Sequence, residues 1–322
     1  MICRRQFVIA CATLLAGGAT LAHAQGFPEK PVHFIVPFAA GSATDQLARA
    51  LGQGVTEQTK QPVVVENKPG ASGFLAAQYV AKAAPDGYTV IIATNTTHAA
   101  NEHLFKKVPY DAVKDFAPIT ALGRGGQIMV VGPKVPAQSV ADFIALAKKQ
   151  PGKLTFGSGS SSSRVAGELF QQMAGVQLLH VPYKSNPLAI NDLLGGQIDM
   201  MITDTATGLP QVKAGKVRAL GVSSRKRLPL APDVPTIDEA GVKGYEMTFW
   251  FAAYAPAGTP APIVNRLHAL LVKATEGLAA KNFYQTAGID PFVTKPEELA
   301  KFQAAESQKW GRIIKAAGIE PE

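Results

Sequence analysis

The chain has 322 residues, 47% of them hydrophobic and 17% charged, with a formal net charge of +8. Its basic residues are dispersed; Lys148-Lys149 and Arg225-Lys226-Arg227 are the densest groups, and no basic tract interleaves with aromatics. That excludes nucleic acid from the expected partners, while a mild positive charge points weakly toward small anions.

The first 24 residues carry Arg4 and Arg5, an apolar run from Phe7 to Leu15, and small residues ending in Ala22-His23-Ala24. This is the pattern of a cleaved secretory signal. The apolar run is shorter than the about 20 residues that a membrane span needs. Arg4-Arg5-Gln6-Phe7-Val8 also matches a twin-arginine signal, and Val8-Ile9-Ala10-Cys11 a lipoprotein box. Too few apolar residues precede Cys11 for lipidation, so ordinary export to the periplasm is expected. Both cysteines, Cys3 and Cys11, fall within the signal, which leaves the mature chain without disulfides or thiol chemistry. The 322 residues less the first 24 leave 298, ample for one large domain or two lobes. Losing Arg4 and Arg5 takes the charge from +8 to +6.

Beyond the signal, strands and helices alternate. Residues 32–36 predict a strand that Pro37 stops, and a helix follows over about 45–58, with Leu47, Leu51 and Val55 forming one apolar stripe. Residues 63–65 and 90–93 predict further strands, with a helix between them ending before Pro85-Asp86-Gly87-Tyr88. A second set starts near residue 125. It has strands at 128–131, 154–156, 178–181, 200–203 and 217–222, and helices over 139–150, 164–174 and 187–194. Phe249-Trp250-Phe251 leads to a Pro-rich turn and at least two closing helices. Such alternation implies parallel βαβ units with helices on both faces of each sheet. Two α/β lobes are expected, one from residues 25–124 plus 249–322 and one from 125–248.

Two loops carry most of the functional information. In each a strand ends, small and hydroxyl-bearing residues follow, and a helix begins: residues 38–45 and 157–163. A helix N-terminus presents unpaired N–H groups and about half a positive charge, so it attracts anions without any Lys or Arg. Ligands of open α/β sheets sit beyond the carboxyl ends of the strands, where both loops belong. Helix capping alone would account for Thr44 or Asp45 and for Ser162 or Ser163, but not for the whole serine run.

Pro37-Phe38-Ala39-Ala40-Gly41-Ser42-Ala43-Thr44-Asp45, Val65-Glu66-Asn67-Lys68-Pro69-Gly70-Ala71-Ser72-Gly73 and Pro85-Asp86-Gly87-Tyr88-Thr89 resemble the Bug-type receptors of tripartite tricarboxylate transport systems. So do His180-Val181-Pro182-Tyr183-Lys184, Leu193-Leu194-Gly195-Gly196-Gln197-Ile198-Asp199 and Ala255-Pro256-Ala257-Gly258-Thr259-Pro260. The likeness runs in order through the mature chain. It implies a monomeric periplasmic-binding-protein fold of the type II-like, Venus flytrap kind, each lobe a mostly parallel sheet flanked by helices. It implies a cleft that closes on a small carboxylate (a mono- or dicarboxylate, an aromatic acid or an acidic amino acid) and membrane permease subunits as partners, with no cofactor and no metal. Carried over by position, the ligand shell is Phe38, Ala40, Gly41, Ser42, Ala43, Thr44, Asp45, Thr94, Asn95, Ser158, Ser160, Ser161, Ser162, Ser163, Asp204 and Trp250. Ser42 stands where the family usually has a second glycine, and Ser185-Asn186 where a glycine often follows Tyr-Lys.

Enzyme signatures fit poorly. Gly157-Ser158-Gly159 and Gly70-Ala71-Ser72-Gly73 lack nucleophile-elbow spacing, and no strand is followed by a complete dinucleotide-binding glycine motif. His98 and His103 are five apart, on different faces of a helix, unlike a zinc pair. A serine hydrolase using the 158–163 loop with His180 as base, and a receptor that docks a membrane sensor, are the alternatives. N-terminal sequencing of exported protein is expected to begin at Gln25; a lipid-modified Cys11, or retention of residues 1–24, would overturn the signal assignment.

Overall fold

The computed structural model describes residues 26–322; the expected signal at 1–24 and both cysteines lie outside them. Strand β1 (Val32–Val36) pairs in parallel with β2 (Val63–Asn67) on one side and β3 (Thr89–Thr94) on the other. Helix α1 (Ala43–Thr59) joins β1 to β2 and buries Leu47, Leu51 and Val55, the stripe that the four-residue spacing predicts. Helix α2 (Phe74–Ala81) joins β2 to β3. After β3 the chain winds at once into a π turn, Thr96–Ala100, and the short helix α3, Asn101–Leu104.

Strand β4 (Phe116–Val131) is 16 residues long and belongs to two sheets. Its first part runs antiparallel to β9 (Thr248–Pro256), which in turn pairs with β3. From Gln127 onward it pairs instead with β7 (Met200–Asp204) and β8 (Arg218–Val222). Beyond β7, strands β5 (Thr155–Ser158) and β6 (Leu179–Pro182) add in parallel. The order is β2-β1-β3-β9-β4-β7-β5-β6, with β8 on β4. Sequence pattern predicts only the end of β4. Register shifts at Pro118/Thr120 and Ala121/Gly123, together with Pro118, Gly123, Gly125 and Gly126, break the alternation by which a strand is read. Parallel pairing is confined to the outer strands. Every antiparallel pair involves β4 or β9, so each sheet is mixed, more than strand–helix alternation alone implied.

Helices α4 (Val140–Lys149), α5 (Ser161–Ala174), α6 (Asn186–Gly195) and α7 (Thr205–Lys213) flank the second sheet. Helices α8 (Ala261–Thr275), α9 (Leu278–Ala287) and α10 (Pro296–Ala316) close the chain. Phe34, Leu47, Leu51, Ile92, Leu267 and Leu271 pack together on one face of the β1–β3 sheet. A larger core runs from Ile35 and Ile91 through Trp250 and Trp310 to Phe156 and Phe170. Phe170 lies between Phe143, 6.2 Å away by ring centroids, and Tyr245, 6.4 Å away, whose hydroxyl is tied to the α5 backbone at Ala166 O. Phe170→Ala is expected to cost about 3–5 kcal/mol of unfolding free energy, the usual loss for a buried aromatic. Urea unfolding followed by far-UV circular dichroism measures it, and an unchanged midpoint would contradict this packing.

Candidate ligand-binding cavity

Strands β1, β3, β5 and β7 all end at one place, around a partly open cavity of about 40 Å³. It lies at the carboxyl ends of the strands, where ligands of α/β sheets sit. Helix α1 starts on its wall behind the N-cap Ser42, whose Oγ accepts from Asp45 N at 3.3 Å. Helix α5 starts on the wall behind Ser160, whose Oγ accepts from Ser163 N at 3.1 Å. Thr94 Oγ1 accepts from Thr96 N, and Ser162 Oγ from Gln127 Nε2, both at 3.2 Å.

These four hydroxyls each accept a hydrogen bond, and none donates to another of the described residues. A hydroxyl carries one proton to give. Four such protons therefore remain for whatever the cavity holds. Helix N-termini add about half a positive charge each, while no Lys, Arg or His among the described residues lines the wall. Three further buried atoms there have no partner among the described residues: Asn95 Nδ2, Thr96 Oγ1 and Gln127 Oε1. Asn95 is oriented by Trp250 N, which donates to its Oδ1 at 3.4 Å and leaves the amide N–H groups free. Leaving a buried polar group unmet costs about 1–3 kcal/mol, so these atoms are candidate contacts for water or a ligand.

Of the residues expected from sequence, Phe38, Ser42, Ala43, Thr44, Thr94, Asn95, Ser160, Ser162 and Asp204 line this cavity. Ala40 and Gly41 do not; they are exposed on the loop before α1. Asp45 is buried but turned inward on its own loop, accepting from Gly41 N, Asn67 Nδ2 and Arg49. Burial opposes its charge, yet the bonds from Arg49, Gly41 and Asn67 outweigh this and hold its pKa below the ordinary value. Ser158, Ser161 and Ser163 are engaged elsewhere: with His180 Nε2 at 2.7 Å, with Asn101 Oδ1 at 2.8 Å and with Ile202 O at 2.5 Å. Trp250 faces away, its indole donating to Glu306 at 3.1 Å. Side chains alternate along a strand, so its neighbours Phe249 and Phe251 face the cavity instead.

Sequence reasoning missed Thr96, Gln127 and Asn186 on this wall. Asn186, where the resemblance left contacts open, accepts from Gly159 N at 2.9 Å and donates to Asp204 Oδ2 at 2.8 Å. Gly159 fits only as glycine, since a Cβ there would lie 1.9 Å from Ser185 C.

A family model described as the tripartite tricarboxylate transporter family receptor matches residues 47–319. The chain belongs to this family. It is 32% identical to the protein BugT of Bordetella pertussis, covering 95% of this chain and 94% of that one. Among solved structures it is similar to Rpa4515 of Rhodopseudomonas palustris with adipate, at 36% identity and a TM-score of 0.88, over 92% of this chain and 100% of that one. It is similar also to MatC of the same organism with bound malate, at 32% identity and a TM-score of 0.84, over 89% and 100% of the two chains. Receptors of this family are periplasmic solute-binding proteins, and none of the described helices is long and apolar enough to cross a membrane.

Two histidines outside the cavity wall are shifted by burial. His98 is fully buried in the π turn and stacks on Tyr254 at 4.1 Å; burial lowers its pKa to about 3. His180 stacks on Phe156 at 4.8 Å and is lowered to about 4, by burial first and by the Arg164 charge second. In the unfolded chain both return toward the ordinary 6.5. Below that value the unfolded state binds more protons, so their contribution is complete above pH 6.5 and is lost as pH falls toward the folded values. The melting temperature is expected to fall between about pH 7 and about pH 5, less so in His180→Gln; a melt flat across that window in both proteins would contradict the assignment.

Proposed function

We propose that this protein is an exported receptor that closes two lobes on a small carboxylate and hands it, unchanged, to the permease subunits of a tripartite tricarboxylate-type transporter. The observation that carries the proposal is the set of four hydroxyl protons and two serine-capped helix N-termini on one wall where, among the described residues, no basic side chain stands. Donors without a cation fit an anion of low charge. Adipate in Rpa4515 and malate in MatC make carboxylates the natural class.

The lobes of this proposal are residues 25–124 with 249–322, and 125–248. The change of β4 partners at Gly126/Gln127 supports that division. Ser42 and Thr94 then stand on one lobe and Ser160 and Ser162 on the other, so a carboxylate held by both sets favours closure by its differential affinity. The receptor works as a monomer, and residues 1–24 direct its export.

The contact of Ser158 with His180 is one that a serine hydrolase would also use. It lies outside this cavity, in an adjoining depression that Arg164, Lys184 and Glu322 help to line, and release of intact solute separates the two activities.

Ser42→Ala and Ser160→Ala are each expected to weaken carboxylate binding by roughly 1–3 kcal/mol, the loss of a bond to a charged group. Calorimetry on folded variants measures this, with mass spectrometry of the recovered solute. Unchanged affinity in both variants would move the site elsewhere, and a chemically altered solute would replace the receptor with an enzyme.

A further inference from the structure

The cavity wall is not uniform in its hydrogen-bonding character. Ser42, Thr94, Ser160 and Asn95 present donors. Gln127 and Asp204 present acceptors, and they are direct partners across the β4–β7 ladder, where opposed side chains stand about 5 Å apart on one face. Gln127 is 1% exposed; its Nε2 donates to Ser162, and its Oε1 is buried with no partner among the described residues.

Asp204 is held firmly in place. Its Oδ1 accepts from Thr207 N at 2.8 Å, capping α7, and its Oδ2 accepts from Asn186 Nδ2 at 2.8 Å and from Thr203 Oγ1 at 3.4 Å. A carboxylate has about four lone-pair sites, so these three bonds leave one acceptor site, on Oδ1, in a residue that lines the cavity. The cap also sets the Asp204 charge against the positive end of α7; the Asp45 carboxylate is paired with Arg49 on its own loop, and the first turn of α5 has no acidic residue, so the N-termini of α1 and α5 keep their positive character. Two such ends sum to about one positive charge. A single ligand carboxylate balances them. A second carboxylate would have to lie against Asp204 and the bare Gln127 oxygen with no cation on the wall.

Building on the carboxylate receptor proposed above, we propose that the solute is a monocarboxylate bearing a hydrogen-bond donor, an ammonium or a hydroxyl, away from its carboxylate, and that Asp204 with Gln127 selects it against dicarboxylates. Phe38, Phe249 and Phe251 cover the apolar stretch between the two ends. The selection separates this chain from Rpa4515 and MatC, whose structures hold the dicarboxylates adipate and malate.

The test uses the mature full-length receptor and matched probes of one carbon skeleton: hexanoate, ω-aminohexanoate, ω-hydroxyhexanoate and adipate, with the four-carbon series beside them. Calorimetry is expected to give a donor-terminated acid at least about tenfold tighter binding than the dicarboxylate of equal length. Asp204→Asn keeps the cap acceptor and should shrink that ratio toward one. Gln127→Met removes the bare acceptor and should lower affinity for the donor-terminated acids while sparing hexanoate. Melting of the unliganded variants establishes that both are folded. Tighter binding of the dicarboxylate by the unaltered protein, or equal binding of hexanoate and the donor-terminated acids, overturns the selection while leaving the carboxylate receptor intact. Binding of none of these acids, or of any other carboxylate, overturns both.

Discussion

An α-helix begins with backbone N–H groups that have no partner within the helix. Burying such an end without an acceptor is costly, so something must meet it. At the starts of α1 and α5 the meeting is partial. Ser42 and Ser160 each accept one N–H, from Asp45 and Ser163, but an accepting hydroxyl still holds its own proton and passes the donor character outward. The positive ends are relayed into the cavity rather than extinguished. The packing of this region follows from that constraint: Gly159 brings the α5 loop against the backbone of Ser185, and the π turn after β3 places Asn95 and Thr96 on the same wall. Even the acidic Asp45 at the start of α1 is compatible with an anion nearby, because Arg49 and Asn67 hold its carboxylate within the loop.

The same elements tie the lobes together. Ser161 on α5 donates to Asn101 on α3 at 2.8 Å, and Asn101 is fixed by Ser72 O at 2.9 Å and by the Tyr110 hydroxyl at 3.3 Å. Arg164, one turn into α5, forms an ion pair with Glu322, whose backbone is bound to Leu104 and Lys106 beside α3. These contacts lie beside the cavity. In the proposed two-lobe division, a solute bound by donors from both sides would favour the closed arrangement, which suits reversible capture.

Much of this was legible in the sequence, and the division has a physical reason. Helix stripes such as Leu47, Leu51 and Val55, the capping serines, and the strand ends at Thr94 and Asp204 are local patterns. Their meaning depends on neighbours within a turn or two. The fates of Ser158, Ser161 and Ser163 were not legible, because their partners His180, Asn101 and Ile202 lie 22, 60 and 39 residues away. One serine run therefore contains both cavity donors and internal struts that composition cannot sort. Trp250 shows the limit of a local pattern: residues 249–251 read as one extended aromatic segment, but only the register decides that Phe249 and Phe251, and not Trp250, point inward. Gln127 was missed because β4 is bulged and glycine-rich before it, so neither the length of the strand nor its changeover between sheets leaves a pattern.

The measurement that bears most directly on the account is a crystal structure of the receptor with the solute it carries from the periplasm, identified by mass spectrometry of the same preparation. One carboxylate is expected within hydrogen-bonding distance of the Ser42 and Ser160 hydroxyls and the first amides of α1 and α5, bridging both proposed lobes. A solute without a carboxylate, or one seated away from these two helix starts, would contradict it.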